Sequence, residues 1–217
     1  ERGLLRQAGE LRGMGGISPG LALEVVPEIT ARSGGAPEGL LELKSRDAVH
    51  TAMDLGVSAK VARGTVAGEM ALNPDYSQVE ADARELQVNR PFAIFYPELR
   101  PFFMEGADFF DTSMNVVYTR MMREPEWGLK LTGKEGDHTI GAYVVRDEIT
   151  NLIIPGSESS DFTSLDQGNT STVLRYRYDV GNRFTLGGIF TNRDGGDYLN
   201  RVAGVDGDFR ITPRDRV

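Results

Sequence analysis

Residues 53–72 read MDLGVSAKVARGTVAGEMAL, and the alternation within them sets the fold. Met53, Leu55, Val57, Ala59 and Val61 share one parity, while Asp54, Ser58 and Lys60 share the other. After Arg63-Gly64, Val66, Met70 and Leu72 oppose Thr65, Glu69 and Asn73. Successive side chains of a strand point to opposite faces, so this pattern describes two strands, each with one apolar and one polar face. A glycine between two such runs marks a hairpin.

The same rhythm extends in both directions. Leu21, Leu23, Val25, Pro27, Ile29 and Ala31 alternate with Glu24, Glu28, Thr30 and Arg32. Downstream, Leu129 and Leu131 precede a turn at 133–137, which leads to Ile140, Ala142 and Val144. Leu174, Tyr176 and Tyr178 alternate with Arg175, Arg177 and Asp179, then turn at 181–182 into Phe184, Leu186 and Phe190. Val205, Phe209 and Ile211 alternate with Asp206, Asp208 and Arg210. The pattern predicts about eight strands, most near the ~9–11 residues that cross a bilayer when tilted. Charges in mid-strand suit a polar lumen. Trp127, Tyr176, Tyr178 and Phe184 near strand ends suit an interfacial girdle.

Composition narrows the classes. A net charge of -8 argues against nucleic acid, because phosphate binding needs clustered Lys and Arg. The absence of Cys excludes disulfides, thiolate metal sites and Cys nucleophiles. No apolar run approaches the ~20 residues of a membrane-spanning helix, but a membrane barrel hides from hydropathy because its two faces alternate. With no signal peptide at Glu1, the chain reads as mature or as a fragment. Connection lengths agree with a membrane barrel. Short turns at 63–64, 133–137 and 180–183 would fall on one side, and long connections at 33–49, 74–116, 149–170 and 194–200 on the other. That placement treats 116–134 as one long strand interrupted near Pro125.

The least strand-like stretch is 72–110, where Ser77 with Glu80 could open a short helix to about Val88. A long aromatic loop inside a barrel is expected to have a role as a plug or constriction. Its candidate residues are Asp75, Glu80, Asp82, Phe95, Tyr96, Glu98, Arg100, Phe102, Phe103 and Glu105. Phe92, Phe95, Tyr96, Phe102 and Phe103 are expected to form an apolar cluster against the wall. Arg100 is expected to pair with Glu98 or Glu105, because a charge flanked by Pro97, Pro101 and these rings is costly alone. The carboxylates could hold calcium, although solvation or Arg pairing is the simpler account. No catalytic residue is assigned: His50 and His138 stand apart, and no nucleophile or phosphate-loop motif occurs. Lys60, Glu69, Lys130, Arg175, Arg177, Asp206, Asp208 and Arg210 are expected to line the lumen, with Asp54 on the same face. Leu55, Val57, Val66, Met70, Leu174 and Leu186 are expected to face lipid.

Four strings carry a family resemblance: NPDYSQVEAD (73–82), FYPELRPFFMEGADFF (95–110), LKLTGK (129–134) and RGMGGISPG (12–20). They resemble bacterial outer-membrane barrels of unassigned function that usually follow a family-nine-type carbohydrate-binding module. Ala93 and Leu99 depart from that pattern, where an acidic residue and a Lys are common. The resemblance implies an outer-membrane location and a barrel that continues beyond this chain. Any link to carbohydrate comes from the usual partner module.

The expectation is an all-β, antiparallel, transmembrane-type barrel segment over residues 20–217, with 1–19 a lead-in and 74–115 a long loop or plug. The bilayer is its expected partner, carbohydrate a candidate ligand, and channel, transport or surface-scaffold work its function. Two other readings stay open: a surface glycan hydrolase using loop carboxylates, and a soluble carbohydrate-binding β domain.

Overall fold

The structure is a computed structural model that describes residues 20–34, 50–76, 97–154, 161–181 and 183–209. The expected lead-in at 1–19, the short helix at 77–88, and Glu80, Asp82, Phe92, Phe95, Tyr96 and Arg210 lie outside the described residues.

The eight expected strands are present. They are β1 (Leu21–Gly34), β2 (His50–Arg63), β3 (Val66–Leu72), β4 (Pro125–Glu135), β5 (His138–Asp147), β8 (Asn169–Val180), β9 (Phe184–Gly195) and β10 (Tyr198–Phe209), with β6 (Thr150–Ile154) and β7 (Asp161–Leu165) between β5 and β8. The eight form one antiparallel sheet in the order β1-β2-β3-β4-β5-β8-β9-β10, and β6 pairs with β7 in a separate hairpin. Each strand of the large sheet therefore pairs with its neighbour in the chain, apart from the step over the small hairpin. The sheet is open: β1 and β10 are its two edges. Pro27, which has no N–H to give a ladder, sits on edge strand β1, where proline is tolerated.

Two-residue turns at 64–65, 136–137 and 196–197 join paired strands, with Gly136 and Gly196 both at φ 55, the left-handed region such turns need. This corrects the expected long connection at 194–200: β10 begins at Tyr198, directly after the turn. The 149–170 connection carries β6 and β7, whose Leu152-Ile153-Ile154 run has too little alternation to be recognised as a strand. The 116–134 stretch is not one strand. β4 starts at Pro125 with a bulge before Trp127, and the residues ahead of it make a 3-10 turn at Thr119–Met121.

The register separates the two parities onto opposite faces of the sheet. Leu23, Val61, Gly68, Leu131, Ala142, Leu174 and Phe190 lie on one face of neighbouring strands, and their large side chains stay exposed. On the other face Glu24 stands opposite Lys60, Lys60 opposite Glu69, and Glu69 opposite Lys130, a row of alternating charge across four strands. Residues 97–124 cover this polar face with helix α1 (Pro101–Met104), a 3-10 turn at Ala107–Phe110 and the turn at Thr119–Met121.

The core lies between cover and sheet. Phe102, Phe103, Phe110 and Met122 from the cover pack with Ala71, Tyr143, Val145, Val173 and Ile189 from the strands. The Phe110 and Tyr143 rings meet edge to face at 5.0 Å, and Phe103 meets Tyr143 at 6.3 Å. Glycines make the room. A Cβ on Gly128 would lie 2.8 Å from Phe102 Cζ, and one on Gly141 would lie 3.0 Å from Phe110 Cε1.

Gly128→Ala is therefore expected to destabilise the covered sheet by about 1–3 kcal/mol, as overpacking of a filled core does. Gly68→Ala, on the other face with only ordinary contacts nearby, should cost less than half as much. Denaturant unfolding of both variants measures the difference.

Candidate functional site

The chemistry of this chain concentrates where the cover meets the polar face. Glu98 and Arg100 organise the cover. Arg100 is fully buried, and its Nε and Nη2 donate to the two carboxylate oxygens of Glu98 at 2.8 and 2.7 Å. Glu98 also accepts the backbone N–H groups of Leu99 and Arg100, each at 3.0 Å, and the Thr119 hydroxyl at 2.6 Å. The remaining guanidinium donors reach the carbonyls of Met122 and Thr119, and the guanidinium lies 4.3 Å from the Phe103 ring centroid. The pair thus clamps residues 97–100 to 119–122. Arg120 reinforces it by donating to the Pro97 carbonyl at 2.7 Å.

Burial alone would raise the Glu98 pKa. The hydrogen bonds and charge of Arg100, with the Thr119 hydroxyl and a backbone N–H, more than offset this and hold the carboxyl at about 2. Burial also pushes the Tyr76 phenol up, against the Arg100 guanidinium that faces its ring.

Lys130 anchors the cover to the sheet. It is almost fully buried, meets Glu69 at 2.8 Å, and donates to the carbonyls of Phe102 and Glu105, the latter at 2.6 Å. Carbonyls at the end of a helix lack intrahelical donors, so the ammonium satisfies them while they help hold its charge. The Glu105 carboxylate turns back to pair with Lys60. Asp147, fully buried at the end of β5, accepts the backbone N–H groups of Glu124 and Arg123 at 2.7 and 3.1 Å and fixes the far end of the cover. Arg193 bonds Asn169, the Asn151 carbonyl and the Met121 carbonyl, joining β9, β8, β6 and the cover.

Of the expected loop residues, Glu98, Arg100, Phe102, Phe103 and Glu105 come together here, and Arg100 takes Glu98 rather than Glu105. Asp75 lies apart, its backbone N–H donating to Glu28 at 3.3 Å. All the described residues of the expected lumen set share the covered face. Arg175 pairs with Asp206 there, and Arg177 and Asp208 follow at the hairpin-turn end. Asp147, Asn151, Asn169 and Arg193 escaped the sequence reading. Each lies outside a motif and becomes a tie only when distant strands meet; Asp147 at the end of an alternating run was the one available signal. Both oxygens of Glu98 are engaged and Glu105 is paired, so these carboxylates do not form a free acid–base couple. Among the described residues, no three His, Cys, Asp or Glu side chains gather as a metal site.

Residues 65–135 match a protein family described as a domain of unknown function (DUF5916). The match runs from the β2–β3 turn to the end of β4 and includes the whole cover. It contains three of the four strings quoted above. No curated protein and no solved structure matches the chain.

Arg100→Met is expected to cost about 3–5 kcal/mol, since it strands the Glu98 carboxylate in the interior. The double variant with Glu98→Gln should cost less than the two single changes added together. Because the folded carboxyl titrates near 2, below its unfolded value, its contribution is complete above about pH 4.5 and fades as pH falls toward 2. Acid unfolding of the parent should therefore lose part of its steepness in the Glu98→Gln variant.

Proposed function

We propose that this chain forms part of the wall of a bacterial outer-membrane β-barrel, with its apolar face against lipid and its polar face, under the cover, turned toward a narrowed lumen. One observation carries the reading. Across eight adjacent strands, the uncovered face has no Asp, Glu, Lys or Arg between Arg63 and Glu135 at the hairpin-turn end and Arg146, Asp194 and Arg201 at the other. Leu23 at 70 %, Leu55 at 67 % and Val205 at 88 % exposure have no covering layer. Monomeric soluble proteins rarely leave so large a continuous apolar face in water.

Other features support the reading. From His138 to Arg146, β5 spans about 27 Å at the usual antiparallel rise, close to the height of an outer-membrane apolar band. Tyr176, Tyr178, Phe184 and Phe209 cluster at one border of the band, with Phe184 and Phe209 6.4 Å apart, and Trp127 lies at the other. The long connections at 35–49, 73–124 and 148–168 leave one end of the sheet, and the turns at 64–65, 136–137 and 181–183 leave the opposite end, as in barrels with short periplasmic turns. The cover then occludes the lumen from the long-connection side. It sets what passes or binds, which makes the function that of a channel, a transporter-like pore or a surface scaffold.

Single cysteines at Leu131, Val144 and Leu174 test the assignment in bacterial membranes. They should react with a lipid-soluble probe and resist a membrane-impermeant maleimide, and the chain should stay with the membrane after a urea wash. Recovery in the aqueous fraction with rapid maleimide labelling would instead favour the soluble β domain. Replacing residues 98–106 with a short Gly-Ser linker should raise the permeability of these membranes to small solutes while the strands remain assembled.

A further inference from the structure

At the hairpin-turn end of the polar face, a cavity of about 800 Å³ opens over β8, β9 and β10, with residues 111–113 of the cover at its rim. Gly187 creates the floor. Across it, Arg175 of β8 reaches over β9 and donates two hydrogen bonds to Asp206 of β10, each 2.7 Å long. A Cβ on residue 187 would lie 2.7 Å from Arg175 Nη1 and closer still to Asp206.

The hydrogen-bonding inventory of this cavity is lopsided. Asp206 is spent on Arg175. Asp179 accepts from the Lys134 ammonium at 2.8 Å and from the Thr185 hydroxyl at 2.9 Å. Asp208 has a contact of its own. The donors are left over: Arg177 and Arg183 both line the cavity, and neither makes a close ion pair or hydrogen bond among the described residues, although Arg177 also feels the charge of Asp179. The buried Nε of Arg175 also lacks a partner. Arg177 lies opposite Gly187, on the same face as Arg175, and Arg183 stands in the turn that follows β8.

We propose that this cavity binds a small oxyanion, the carboxylate or phosphate of an acidic solute, between Arg177 and Arg183. A guanidinium presents parallel N–H donors that match two oxygens of such a group. The carboxylates nearest the floor are already neutralised by Arg175 and Lys134, so they oppose an incoming anion only weakly. Asp111, exposed on the rim, and Asp208, which also lines the cavity, are the carboxylates that oppose it. The site lies on the polar face, so it stands whether the other face meets lipid or water.

The test uses the full chain, folded in detergent micelles and labelled with ¹⁵N-arginine. It is titrated with inorganic phosphate and, separately, with acetate, while sodium chloride holds ionic strength constant. The Nε–H signals of Arg177 and Arg183 should shift together and saturably, and that of Arg201 on the opposite face should not. Arg177→Gln and Arg183→Gln should each weaken binding at least about tenfold, the loss expected for a charge-assisted hydrogen bond, and Asp111→Asn should tighten it. Arg183 is an exposed turn residue, so its variant reports on the site even if Arg177→Gln perturbs β8. The relative affinities of phosphate and acetate identify the preferred oxyanion. No saturable shift, an equal response to chloride, or unchanged affinity in both variants would overturn the proposal.

Discussion

Every strand here obeys one geometric constraint: neighbouring side chains on a strand must point to opposite faces. When adjacent strands pair in register, each face inherits one parity from all of them. A one-residue slip of any strand would carry Lys60, Glu69 or Arg175 into the apolar band and turn Leu or Val toward the charges. The register is therefore enforced from both faces at once, and the row Glu24, Lys60, Glu69, Lys130 marks it across four strands.

Charges gathered on one face create a second demand. Lys130 and Arg175 are buried, and a buried cation must be paired and fully hydrogen-bonded to be tolerated. The sheet meets this partly within itself, through Glu69 and Asp206. For Lys130 the cover supplies the rest, bringing the carbonyls of Phe102 and Glu105 to its ammonium, while the Nε of Arg175 keeps no partner among the described residues. In return the sheet offers the cover a foundation of glycines, into which Phe102 and Phe110 settle. The Glu98–Arg100 clamp lies within the cover and ties residues 97–100 to 119–122. Polar satisfaction and ring burial thus depend on each other, and the cover is fitted to the sheet beneath it.

The two faces also divide the functional questions. The apolar face bears on where the molecule resides and contains no candidate chemistry. The polar face bears on what it handles, and it is uneven. Toward the long connections it is overlaid by the cover, while at β8 to β10 it stays open, with Arg177 and Arg183 lacking a close ion-pair partner among the described residues. A solute approaching from the hairpin-turn end would meet these donors before it met the cover.

By itself the sequence determined the eight strands of the large sheet, their faces and the part of the cover around Glu98 to Glu105. Alternation is a local property, and Pro97 and Pro101 around Glu98-Leu99-Arg100 made a costly, paired arginine legible without any fold. The family strings at 73–82 and 95–110 marked the same region, which the partial match spans. Only the tertiary structure decided which carboxylate Arg100 takes, because Glu98 and Glu105 both lie within reach of its long side chain and α1 turns Glu105 away toward Lys60. It alone decided that Arg175 reaches Asp206 across a third strand, since that contact depends on a missing side chain at Gly187. It placed Asp147, Asn169 and Arg193 as ties, because long-range contact depends on how strands stack in space and alternation carries no information about that.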